Sequence, residues 1–165
     1  MVSVQSPLKS ELDSVVRSYR RLSHDVGGRI DFAFDLDNED VLRIAEQEKL
    51  HLDQAFFVLS FAALERQLTL LASARLATDR RDAMRDASFE RRWRVAIQVA
   101  EETLGVDVRW KGKEREILSW YEIRNFIAHG ELPTQLADVP TVLYQANEVA
   151  ATLDDVHRAL ARDPR

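Results

Sequence analysis

Arg124-Asn125-Phe126-Ile127-Ala128-His129 is the segment whose residue types and spacing suit chemistry. Histidine has the unperturbed pKa nearest neutrality, so it can take and give a proton. Arginine is a permanent, forked cation that fits a phosphate. Asparagine can orient either one. Together they suit cleavage of a phosphodiester in RNA. One group helps the ribose 2′-hydroxyl attack, a cation stabilises charge on the phosphorus oxygens, and an acid protonates the leaving oxygen. This chemistry requires no metal, and no cofactor is expected. The same residues also have a plain structural reading. Arginine and histidine near a helix C-terminus complement its dipole, and His129 can cap carbonyls beside Gly130.

The segment closes a helix predicted over about Lys113 to His129. Ile117, Trp120, Ile123 and Ile127 give that helix an apolar stripe, and Gly130 and Pro133 stop it. Asn125 and His129 are four apart and share a face. Arg124 and His129 are five apart, roughly 140° around the axis. One helix end therefore does not converge them, whereas two copies meeting across a two-fold axis can.

The remaining elements are also helical. A first helix is predicted from about Pro7 to Ser23, ended by Gly27 and Gly28, with Arg29 to Phe34 as a short extended piece. A long helix follows from about Glu39 to Ala77, with a bend near His51. Its second half is apolar almost all round, so it should be buried on several sides. Glu65 lies inside that apolar run and needs a partner. A third helical region starts at Thr78 or Asp79 and ends near Leu104, with Gly105 as terminator. It carries Arg80, Arg81, Arg85, Arg91, Arg92 and Arg94, read either as a solvated face paired with Asp79, Asp82, Asp86 and Glu90 or as a surface that touches phosphate. A last helix opens at Asp138 and Pro140 and runs to about Ala161. The expectation is an all-α fold, a compact bundle of about five helices in a single domain over residues 1–165.

Composition narrows the function classes. The chain has no cysteine, which excludes disulfides, thiolate catalysis and Cys-based zinc sites. His24, His51 and His157 are scattered, with no metal-binding histidine pair, so no metal is expected. The acids Asp35, Asp37, Glu39 and Glu46 faintly resemble a calcium loop, but Asp40 stands where the loop needs glycine. The plainer reading is a helix start capped by Asp37 or Asn38. No stretch of about 20 apolar residues and no secretory leader is read, so the expected location is cytoplasmic, without a membrane partner. The net charge is −5, which advertises no global affinity for nucleic acid. Residues 75–124, with twelve Lys/Arg against ten Asp/Glu, are the one basic third, and they hold the motif.

The motif resembles the signature of the HEPN superfamily: an arginine, usually a polar residue next, then a histidine four to six residues after the arginine. Arg124, Asn125 and His129 match position by position. The segment Leu59 to Glu65 (LSFAALE) resembles the family's earlier core helix, which often carries an acid. The order of elements is similar too, with long helices first, the motif late and one helix after it. The resemblance implies a homodimer with a composite site built from two Arg–His pairs, and metal-independent ribonuclease activity of toxin or defence type on RNA. It assigns phosphate or transition-state stabilisation to Arg124, general acid–base work to His129, and positioning to Asn125. Glu65 is implied as support for Arg124 or its neighbours, with Glu122 and Tyr121 as further supporting candidates. It also implies a neutralising protein or antitoxin. Some members are silenced by modification of a tyrosine just after the histidine, but here Gly130 and Glu131 follow and no such tyrosine is present. Other members are non-catalytic modules that bind a partner protein or nucleotide, and that alternative stays open beside the enzyme.

Overall fold

The computed structural model describes residues 7–74, 76–130 and 138–162. Among these there are six α-helices, one short 3-10 helix and no strand. They are α1 (Pro7–Asp35), α2 (Glu39–Ser73), α3 (Thr78–Arg85), α4 (Phe89–Leu104), the 3-10 helix Arg109–Lys113, α5 (Glu114–Ala128) and α6 (Val139–Arg162). The expected all-α bundle is what the chain forms, with six helices rather than about five. Pro133, read as a stop signal, lies outside the described residues.

The long helix α2 is central. Phe56, Phe57, Phe61, Leu64, Leu68 and Leu71 are buried within it, and it packs against all five other helices. Its composition and length would let it cross a membrane, which the sequence reading did not anticipate. Yet 56% of its most apolar window is buried inside the protein. That is the pattern of a core helix whose apolar sides are claimed by neighbours, and it is compatible with a soluble protein.

Three boundaries differ from the sequence expectation. First, α1 does not stop at Gly27 and Gly28, and Arg29 to Phe34 is helical rather than extended. Two mid-helix glycines cost about 1 kcal/mol each relative to alanine. Burial of Val26 and Ala33 on either side of them, and an ion pair from Arg29 to Glu48 at 2.7 Å, hold the turn in place. Second, α2 runs through His51 without a break. Third, the region 78–104 is two helices. Ser88 accepts a hydrogen bond from the Arg91 amide and caps α4 afresh. The new direction sends Phe89, Trp93 and Ala96 into the core.

Other local signals hold. Asn38 caps α2 by accepting from the Val41 amide, as the plainer reading of the acidic stretch expected. Gly105 ends α4 in the left-handed conformation, at φ 68°. Asp138 accepts from the Thr141 amide at the start of α6. The α6 stripe Val142, Leu143, Ala146, Val149, Leu153 and Val156 is buried, and so are Ile117 and Trp120 of α5. Pairs across α1 and α2 run Glu11–Arg66, Tyr19–Asp53 and Arg29–Glu48, so the two helices form an antiparallel hairpin.

Candidate functional site

Glu65 finds its partners in two arginines, one from each of two neighbouring helices. Arg92 of α4 places one Nη 2.7 Å from Glu65 Oε1 and the other 2.9 Å from the Thr69 hydroxyl. Its guanidinium also lies 5.8 Å from the centre of the Phe89 ring. Arg124 of α5 sits 3.4 Å from the other carboxylate oxygen, Oε2. Arg124 also donates from Nη1 to Asn125 Oδ1 at 2.9 Å. One carboxylate thus serves two cations, one on each oxygen. The side chains of Glu65 and Arg92 are 15% and 12% exposed, and that of Arg124 is 29% exposed. Arg92 is the structural partner at the base, and Arg124 is the one that reaches the surface.

The gathering follows from helix register. In α2, Glu65 and Thr69 are four apart and share a face, and the Thr69 hydroxyl donates back to the Glu65 carbonyl at 2.8 Å. In α4, Arg92 lies three after Phe89 and seven before Val99, on the buried side of the helix. In α5, Ile117 and Trp120 anchor the helix against the core, which carries Arg124 towards α2 one turn later. Tyr121 stacks on Phe89, with centroids 4.6 Å apart and planes 6° apart, and touches Phe61 as well. Its ring fixes α5 against α4 at the level of the site. Glu122 is exposed and does not join the cluster.

His129 is the C-cap of α5. Its backbone N–H donates to the carbonyls of Asn125 and Phe126, at 3.0 and 3.2 Å. Its side chain is exposed, and Gly130 follows at φ 75°. Within one chain, then, Arg124, Asn125 and Glu65 come together, while His129 stands at the helix end facing solvent.

An open cleft of about 510 Å³ adjoins Arg124. Arg66, Arg85, Arg92 and Arg124 line it, with Glu65, Thr69 and the apolar Ala62 and Leu70. The arginines of the third region therefore do not share one face. Arg92 turns inward, Arg85 faces this cleft, and Arg80 and Arg91 line a smaller hollow beside Leu76 and Met84. Arg94 pairs with Glu90 and Glu114, and Arg85 has Asp82 at 3.5 Å. Sequence reasoning missed Arg92 as Glu65's main partner. Its position between Phe89 and Ala96 was the available signal, since both mark the buried face.

Among the described residues no three His, Asp or Glu side chains gather as a metal site, and of the acidic stretch Glu39 and Asp40 lie in the first turn of α2 behind the Asn38 cap. Comparisons with protein-family models, curated proteins and solved structures give no match for this chain.

Proposed function

We propose that this chain is a metal-independent RNA endonuclease of the HEPN type, acting as a cytoplasmic homodimer. The observation that carries the reading is the Glu65–Arg124–Asn125 cluster at the end of α5, one turn before an exposed His129. A held but accessible guanidinium beside an accessible imidazole suits phosphoryl chemistry. Arg124 stabilises charge on the phosphorus oxygens, Asn125 fixes its fork, and Glu65 holds it from behind.

Cleavage by 2′-hydroxyl attack forms the 2′-O–P bond and breaks the P–5′-O bond. The 2′ proton passes to a base, and the 5′ oxygen takes a proton from an acid. Each chain supplies one histidine at the motif, so a two-fold dimer supplies the two groups this requires. Phe126 is 49% exposed beside the motif, and Leu59 and Leu70 are exposed on α2. Apolar surface around the site is what a second copy would cover. A separate protein that neutralises the enzyme, in the manner of an antitoxin, fits a toxin or defence role.

The test is incubation of the purified protein with total cellular RNA in EDTA, beside His129→Ala. Cleavage that survives EDTA and vanishes in the variant supports the reading, and products ending in a 2′,3′-cyclic phosphate support the attack. Cleavage as fast as the parent's by Arg124→Ala and His129→Ala, both folded and dimeric, refutes it.

One observation favours a second reading, a non-catalytic module that binds a partner protein. Phe32, Phe34, Leu36, Val41 and Ile44 are exposed together around the α1–α2 turn. A folded, dimeric protein that leaves RNA intact would turn the proposal to that module.

A further inference from the structure

The cleft between α2, α3, α4 and α5 carries more positive charge than the role of Arg124 uses. Glu65 is the single acid among its described lining residues, against four arginines. That acid is already shared by Arg92 and Arg124. Arg66 reaches Glu11 of α1. Among the described residues Arg85 pairs with Asp82 alone, at 3.5 Å, with side chains 70% and 76% exposed, and a pair so placed holds its partners weakly. Each guanidinium carries five N–H donors, and the side chains of Arg85 and Arg124 keep 70% and 29% of their surface exposed. The cleft is thus over-supplied with donors and cations although the whole chain is acidic. Its volume suits a nucleotide-sized ligand. Ala62 and Leu70 add an apolar wall against which a ribose or base can lie.

We infer that this cleft holds the backbone of a single RNA strand, with Arg85 at its rim taking the phosphate next to the one that faces Arg124. The inference rests on the ribonuclease reading and extends it from the reacting phosphate to its neighbour. Arg92 stays on Glu65 and keeps the floor of the cleft in place. Arg85 is a substrate-positioning residue and performs no proton transfer. A free nucleoside monophosphate offers the same phosphate chemistry, and the experiment separates the two.

Binding is measured by fluorescence anisotropy of a labelled single-stranded 12-mer RNA, in EDTA, on full-length protein carrying His129→Ala so that the probe stays whole. Arg85→Gln should weaken binding several-fold and flatten the plot of log affinity against log salt by about 0.7, the value of one single-strand phosphate contact. Arg85→Lys, which keeps the charge, should retain most of the affinity. Arg43→Gln is the control. It is an exposed arginine of α2 about 33 Å along the helix from Glu65, and its loss should change nothing.

Equal affinity and slope in the parent and Arg85→Gln overturn the inference. So does an equal loss in Arg43→Gln, or no binding of RNA by the parent at low salt. Adenosine monophosphate that raises the melting temperature through Arg85, beside RNA affinity indifferent to Arg85, overturns RNA as the occupant. The two readings fail separately. Cleavage unchanged by His129→Ala sinks the nuclease and leaves Arg85-dependent binding standing. Histidine-dependent cleavage with Arg85-independent binding sinks only the cleft.

Discussion

Glu65 should be coupled far more strongly to Arg92 than to Arg124, and a pair of double-mutant cycles measures the difference. Exposed ion pairs are worth about 0.2–1 kcal/mol, whereas removing one partner of a buried pair costs about 3–5 kcal/mol. The Glu65–Arg92 contact, at 2.7 Å with both side chains under one-sixth exposed, lies near the buried end of that scale. Arg92 is tied further by Thr69 and by the Phe89 ring. The Glu65–Arg124 contact is longer, at 3.4 Å, and Arg124 is 29% exposed. Glu65→Gln keeps the shape and one acceptor but leaves two guanidiniums without their carboxylate, so it should cost about 2–3 kcal/mol. In a domain of this length that lowers the melting temperature by about 6–10 °C. Urea unfolding of Glu65→Gln, Arg92→Met, Arg124→Met and the two double variants then gives the couplings. The expected values are about 2 kcal/mol for Glu65 with Arg92 and about 0.5 kcal/mol for Glu65 with Arg124. A coupling to Arg124 as large as that to Arg92 would refute the division into a structural and a working arginine.

Two further outcomes test the fold. Burial pushes the His157 imidazole below its usual 6.5, against the opposing pull of the Asp154 carboxylate. The unfolded chain therefore binds the extra proton first. Stability from this residue is present above about pH 6.5 and is lost as pH falls towards the folded value, at no more than about 1.4 kcal/mol per pH unit. Unfolding curves at several pH values should show that slope reduced in His157→Gln, and identical slopes would refute it. Gly27→Ala and Gly28→Ala should each stabilise by about 1 kcal/mol, since nothing lies within 4 Å of the added methyl and both sit inside α1. Gly105→Ala, at φ 68°, should instead destabilise by about 1 kcal/mol. Thermal melts decide both, and a loss at 27 or 28 would mean α1 is not continuous there.

Much of this structure was legible because the signals were local. The Asn38 and Asp138 caps, the left-handed Gly105 and the apolar stripes of α5 and α6 act within one or two turns, and each appears where the sequence places it. The errors share a different cause. Gly27 and Gly28 read as a stop because their penalty is local, while the burial of Val26 and Ala33 that overrides it comes from packing between helices, which a local signal does not carry. At His51 the helix continues without a break. At the site, the need of Glu65 for a partner followed from its apolar surroundings. Which cation would answer did not, because Arg92 and Arg124 are 27 and 59 positions away and only tertiary packing brings them to the same carboxylate. The run of charges along residues 80–94 likewise did not separate Arg92, turned inward, from Arg91, turned out.

The α1–α2 hairpin has a consequence for how the molecule opens. From Glu39 to Ala55 the only buried residue of α2 is Ala45, and opposite it α1 buries only Val26 and Ala33 beyond Arg20. About half of each helix therefore has almost no core of its own, and small residues make the contact. By contrast, the half of α2 from Phe56 onward is enclosed by the bundle. Backbone amides near Phe32 and Ile44 should exchange with solvent through local fraying, while those around Leu64 and Leu68 should exchange only when the whole domain unfolds. One continuous helix thus joins the most readily opened part of the protein to the most protected, and the arginine cleft lies at the protected end.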